Sequence, residues 1–255
     1  MTIWTWDTQQ RKFVAGGGDG ELLLADSWFV DAGRVRAFDR HRRRFSKAAI
    51  ELGCTDADSA DFWSGLIDLI PRSGEWFPRV EILGDDESAL GFRLRPAPPR
   101  TDELNVWIPP FADPRQHPET KGPDIARLGE LRTRAHEEHK CDEVLLVDEH
   151  GFAVESATSS LLWWEDETLC VPHPDLAQLP GVTTSLIQAE ARKRSIEVAF
   201  RRSSPAELSG REVWLVNALH GIRRVCGWSG MPRHSPPPMW FWDWKTWLEL
   251  HMAPI

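Results

Sequence analysis

Hydrophobic spacing changes several times along the 255 residues, and each change marks an element. The run ELLLADSWFV at 21–30 is rich in strand formers, a DAG turn follows, and RVRAF completes a predicted β-hairpin. Ahead of it, GGGDG at 16–20 reads as a loop, because it lacks the G-x-G-x-x-G spacing of a phosphate-binding turn. From Phe38 the apolar residues take helical spacing, with Phe45, Ala49 and Leu52 in register. This predicts a helix over about 40–53, stopped by Gly53. A second helix is predicted over 58–71, through Phe62, Leu66, Ile67 and Leu69. Segments 76–83, 89–95 and 103–108 cluster as strands between Gly, Pro and Asp.

The stretch PPFADPRQHPETKGPD at 109–124 is the sharpest break in the pattern. It predicts a linker over 111–123 that divides a smaller N-terminal domain, 1–110, from a larger C-terminal one, 124–255. The second half opens with a helix over about 124–140, with Ile125, Leu128, Leu131 and Ala135 on one face. Strands follow in EVLLVD, FAVES, SSLLWWE and TLCVP, then a helix over 182–194 after Pro180-Gly181, then strands in IEVAFRR and EVWLVNAL. A proline run and a Trp-rich segment close the chain, the latter read as core or dimer packing. No internal repeat occurs. The expected class is α+β in two domains.

Composition narrows the chemistry. Thirty Lys+Arg against 39 Asp+Glu leave a net charge of −9, with no broad basic footprint for nucleic acid. No apolar run approaches the roughly 20 residues that span a bilayer. The start, MTIWTWDTQQRK, lacks the regions of a signal peptide. Cysteines 54, 141, 170 and 226 form no CxxC pair, so neither a structural zinc site nor a disulfide framework is expected, and a cytoplasmic protein is. His136 and His139 lie three apart on a predicted helix, without a carboxylate motif, and no metal site is expected. No G-x-S-x-G elbow or HExxH motif supports a hydrolase. Only six lysines occur, at 12, 47, 121, 140, 193 and 245, so lysine chemistry has few candidates. There are fourteen Trp and no Tyr.

From 121 to 225 the motifs come in a telling order: Lys121 in KGPD, CDEVLLVDEHGFAVES, SSLLWW, LPGVTTS and EVWLVNALHGIRRV. This series resembles the fold-type IV pyridoxal-phosphate enzymes, the class IV aminotransferases. That family includes D-amino-acid and branched-chain aminotransferases and aminodeoxychorismate lyase. HRRRF at 41–45 echoes its H-x-x-R-L motif. The resemblance implies a D-amino-acid aminotransferase-like fold with pyridoxal 5'-phosphate between the domains, and a homodimer.

By the same resemblance, Lys121 holds the cofactor aldehyde as a Schiff base, with Lys140 as the alternative. Glu155, 34 residues on, partners the pyridine nitrogen. Gly181-Val182-Thr183 opens a predicted helix whose free N–H groups suit a phosphate dianion, or it is an ordinary helix cap. Arg44 matches the arginine of H-x-x-R and would grip the phosphate, though RHRRR also suits a solvated helix face. Asn217-Ala218-Leu219 aligns with the small loop near phosphate and substrate carboxylate, or it ends a strand in the core. Ser160 stands where the family often has Asn, and Arg224-Val225 where it ends in Pro-Val. Two reactions fit one site: amino transfer between an amino acid and a 2-oxo acid, and the lyase reaction to 4-aminobenzoate and pyruvate. A non-catalytic ligand-binding relative is the third reading.

Overall fold

The structure is a computed structural model that describes residues 1–18, 20–84, 89–230 and 236–255. Asp19 of the GGGDG loop and the start of the proline run lie outside these residues. The chain forms two compact units. One comprises Met1–Pro99 with Thr120–Pro123 and His251–Ile255, and the other Arg100–Glu119 with Asp124–Leu250. The sequence pattern had placed the division at 110, with 111–123 as linker.

In the first unit, β1 (Thr2–Asp7), β2 (Lys12–Ala15), β3 (Glu21–Ser27), β7 (Arg79–Gly84) and β8 (Ala89–Leu94) form an antiparallel sheet ordered β2-β1-β8-β7-β3. Alternation puts Val80, Ile82, Phe92 and Leu94 on one face. There they share a core with Phe45 and Ala49 of α1 (Phe38–Glu51) and Phe62, Trp63 and Leu66 of α2 (Ala60–Asp68). The predicted hairpin forms differently, since β3 pairs with β7. Every residue from Leu24 to Val30 is buried, so the run loses its in–out alternation and changes sheet at Trp28–Phe29. The hairpin shrinks to β4 (Val30–Asp31) and β5 (Arg34–Val35) around Ala32 and Gly33, both at positive φ. This small sheet gains β6 (Glu75–Trp76) and the C-terminal strand Ala253–Pro254.

A buried acid ties β3 to α1. Asp26 sits on the helix-facing side, and His41 and Arg44, one turn apart, both reach it. His41 Nδ1 lies 2.8 Å from Oδ1, and Arg44 donates through Nε to Oδ2 and Nη2 to Oδ1, each at 2.8 Å. Burial alone would raise the Asp26 pKa, but the charges and hydrogen bonds of Arg44 and His41 outweigh it and hold the group well below the carboxylate range.

In the second unit, β9 (Glu103–Trp107), β10 (Glu143–Val147), β11 (Ala153–Ser156), β12 (Ser160–Glu165), β13 (Thr168–Pro172), β14 (Val198–Arg201), β15 (Val213–Asn217) and β16 (Gly221–Trp228) form one mixed sheet. Its order is β11-β10-β9-β16-β15-β12-β13-β14, and β11 also pairs with β12, closing a ring of six strands. Leu104, Leu145, Leu161, Trp163, Leu215 and Val225 share the core cluster on one face. α4 (Val182–Lys193) and α6 (Phe241–Leu250) cover Leu162, Trp164, Trp214 and Ile222 on the other. α3 (Ile125–His139) packs near Val144 and Leu146. Strands buried on both faces explain the continuous apolar runs LLWW and VWLV. α6 is the Trp-rich tail. Trp244 is fully buried there, Trp240 stacks on Trp164 at 4.6 Å, and Trp242 remains exposed, which fits the core-packing reading.

Breaking the Asp26 cluster leaves the Arg44 guanidinium and the buried His41 ring without their partner. Asp26→Asn is expected to cost about 3–5 kcal/mol of stability in urea unfolding at pH 7. Because the native pKa is depressed, the acid's contribution is present above the ordinary carboxylate pKa and is lost as pH falls below it. The gap between wild type and variant should therefore narrow on the acid side.

Candidate active site

Ring closure gathers several of the predicted residues. Glu155 is the register partner of Ser160, and Ser160 is in turn the partner of Val216, next to Asn217. Gly181 lies against the same serine: a Cβ added there would stand 2.5 Å from Ser160 Oγ and 3.0 Å from Thr184 Oγ1. Gly181 is the N-cap of α4 and supplies no side-chain cap, while Val182 and Thr183 are buried behind it. Thr184 Oγ1 is buried and has no hydrogen-bond partner among the described residues. An uncapped helix start, a close-packed glycine and two hydroxyls make a cradle suited to an oxyanion.

Glu155 is buried, and Oε1 takes both of its hydrogen bonds, from Arg115 Nη1 and from the Leu179 N–H at 3.0 Å. No hydrogen bond among the described residues reaches Oε2. Burial raises the Glu155 pKa, and Arg115 and the Leu179 N–H offset this only in part. Arg115 was missed in the sequence because it lies inside the Pro-rich stretch read as a linker. Its Nε and Nη2 hold Asp113 at 2.6–3.0 Å, and Nη2 also donates to the Ala177 carbonyl at 3.0 Å. Gln116 and His117 N–H groups donate to buried Asp124 at 2.8–3.1 Å and fix the next turn of chain.

Asn217 Nδ2 donates to Ser159 Oγ at 3.0 Å, and its Oδ1 accepts the His220 N–H at 2.8 Å, so Ala218 sits in a closed turn. His220 accepts the Thr101 N–H at Nδ1, 3.1 Å away. Its pKa is pushed down to about 3 by burial first, then by Arg223, Arg132, Arg100 and Lys245, so the ring is neutral at pH 7.

Lys121 and Arg44 belong to the first unit. The Ala25 N–H donates to the Lys121 carbonyl at 2.6 Å, beside the Asp26 that binds Arg44. Gly122 follows at φ +155°, where a Cβ would stand 2.9 Å from Leu24 Cα, so a larger residue is excluded after Lys121. Lys140, the alternative lysine, is the exposed C-cap of α3, and its Nζ donates to the Glu137 carbonyl at 2.9 Å. His139 stacks on Trp107 at 4.3 Å.

The family model for amino-transferase class IV matches residues 23–228. The chain belongs to this family. It is therefore an enzyme of the aminotransferase and lyase type, with a mixed helix and strand fold. Among curated proteins none matches it. A hypothetical aminotransferase from Mycobacterium tuberculosis, bound to alpha-ketoglutarate and PMP, superposes with a TM-score of 0.83 at 16% identity over 98% of each chain. The fold IV-transaminase CpuTA1 from Curtobacterium pusillum gives 0.78 at 18% identity over 97% of this chain and 96% of its own. A candidate 4-amino-4-deoxychorismate lyase from Legionella pneumophila gives 0.74 at 16% over 91% of each. These likenesses show the fold.

The raised Glu155 pKa carries a sign. The folded state holds this proton more tightly than the unfolded one, so stability falls as pH rises above the ordinary carboxylate range. Glu155→Gln is expected to raise the Tm of the ligand-free protein at pH 8 and to lose that gain below about pH 4. A Tm at pH 8 below that of wild type would mean that the Arg115 pair outweighs burial.

Proposed function

We propose that this enzyme is a pyridoxal-phosphate-dependent class IV aminotransferase, moving an amino group between an amino acid and a 2-oxo acid. One observation carries the reading: buried Glu155, with no donor on Oε2 among the described residues, shares Ser160 as neighbour with the uncapped start of α4. A protonated ring nitrogen asks for such a carboxylate, and a phosphate for such a helix start. The alpha-ketoglutarate and PMP of the mycobacterial structure support a 2-oxo acid acceptor.

When bound, the cofactor supplies an aldehyde for an amine and a ring that draws electrons from the substrate α-carbon. The chain's own residues do the rest. Lys121 would supply the amine that holds the aldehyde, and its Nζ would move the α-proton. Glu155 accepts from the ring nitrogen through Oε2. Val182 and Thr183 donate their backbone N–H groups to the phosphate, with the Ser160 hydroxyl beside them. Arg44 adds charge to the phosphate, its guanidinium oriented by Asp26. Asn217 and Ala218 bound the substrate carboxylate. The same residues serve elimination, and the likeness to the Legionella protein supports aminodeoxychorismate lyase as the second reading. A cytoplasmic homodimer is the assembly the family resemblance implies.

The test is the visible spectrum of protein incubated with pyridoxal phosphate and desalted. Wild type is expected to retain an absorption band that Lys121→Ala loses. A band that survives in the variant moves the assignment to another lysine. No band in folded wild type overturns the cofactor reading and favours a non-catalytic relative. Amine transfer to 2-oxoglutarate then supports the aminotransferase, whereas pyruvate released from aminodeoxychorismate without an added acceptor supports the lyase.

A further inference from the structure

Arg115 has a place in the site that neither the family motifs nor the proposed roles assign. Its side chain is 5% exposed and spans two carboxylates, Asp113 and Glu155. Nε and Nη2 grip Asp113, while Nη1 donates to Glu155 Oε1 and lies 3.4 Å from the Pro118 carbonyl. Among the described residues it is the one cation paired with Glu155. The guanidinium is planar and held at both ends, so it fixes the rotation of the Glu155 carboxylate. With the Leu179 N–H it occupies Oε1 and leaves Oε2 as the open acceptor. The charge count is equally specific. Asp113, Arg115 and Glu155 sum to one unbalanced negative charge in a desolvated place, and a cationic N–H donor on Oε2 completes the balance.

We propose that Arg115 is a positioning residue: through Oε1 it orients and charge-balances Glu155, so that Oε2 is presented to the protonated ring nitrogen of the cofactor. The inference rests on the proposed cofactor chemistry. Asp113 is anchored by its N–H to the Val147 carbonyl at 2.7 Å, on the strand that pairs with the one bearing Glu155. Asp113 therefore holds Arg115 in place rather than competing for it outright.

Two ligands separate a positioning role from a merely structural one. Pyridoxal phosphate has the ring nitrogen; its 1-deaza analogue has C–H there and makes no bond to Glu155. Affinities are read by quenching of tryptophan fluorescence on titrating ligand-free protein, a readout independent of turnover. Arg115→Gln is expected to weaken pyridoxal phosphate roughly ten- to hundredfold, the scale of a lost hydrogen bond to a charged group. Binding of the 1-deaza analogue should change less than about twofold, within the scatter of independent sites. In a Glu155→Gln background the Arg115 substitution should add nothing further. Equal losses for the two ligands in wild-type background overturn the inference while leaving the proposed function intact. Failure of wild type to bind either ligand overturns the proposed function itself. Should Arg115→Gln not fold, by circular dichroism, Arg115→Lys keeps the charge without the fork. It is expected to show the same selective loss in smaller measure, and equal losses there again overturn the inference.

Discussion

The pairing of Glu155 with Ser160 holds the second unit's ring of strands together and places its chemistry in the same stroke. A closed ring leaves no exposed edge among its six strands, and this pair is the register partner that joins β11 to β12. Because side chains alternate along a strand, fixing one register fixes every residue beside it. Ser160 is thereby set opposite Val216, which brings Asn217 to the same end of the ring. The close approach of Gly181 then sets the start of α4 on the serine. A slip of one residue in this seam would turn Glu155 to the other face and dismantle the cradle.

Three of the buried acids are matched to an arginine, but with different results. Asp26 is gripped by Arg44 and His41 and held firmly ionised, which suits a brace between β3 and α1. Glu143 is fully buried against Arg223, whose Nη2 also reaches Ser159 Oγ at 3.2 Å, linking the ring interior to Asn217. Glu155 shares its arginine with Asp113 and is left with a raised pKa and an open oxygen. The Asp26 network rigidifies its surroundings, Arg223 keeps a buried Nε without a partner among the described residues, and Glu155 has no hydrogen bond to Oε2 among the described residues. Incompleteness of that kind belongs to a ligand-binding position, where a group supplied from outside finishes the electrostatics.

Much of the fold was legible in the sequence because burial imposes a period. Phe38, Phe45 and Ala49 announced α1, and Ile125, Leu128 and Ala135 announced α3, each within two residues of its observed ends. The doubly buried strands announced themselves as apolar runs. Three things were hidden. β2 (KFVA) at the sheet edge and its neighbour β1 (TIWTWD) lack a clear alternation of apolar and polar residues. GIRRV reads as a basic segment, yet it is the start of β16, with Arg223 buried on Glu143. The ELLLADSWFV run concealed a change of sheet at Trp28.

The sequence by itself determined the family and the candidates for its chemistry: a scarce lysine at 121, an acid at 155, a Gly-Val-Thr helix start at 181–183 and an Asn-Ala turn at 217–218. Local spacing suffices for these, since each is a short motif with its own geometry. What only the tertiary structure decided was partnership. Glu155 faces Ser160 across a short hairpin, whereas the meeting of Thr184 with Ser160 at Gly181 and the bridge of Arg115 to Glu155 join chain segments tens of residues apart. Those contacts follow from sheet register and ring closure, which are long-range constraints that no local period encodes.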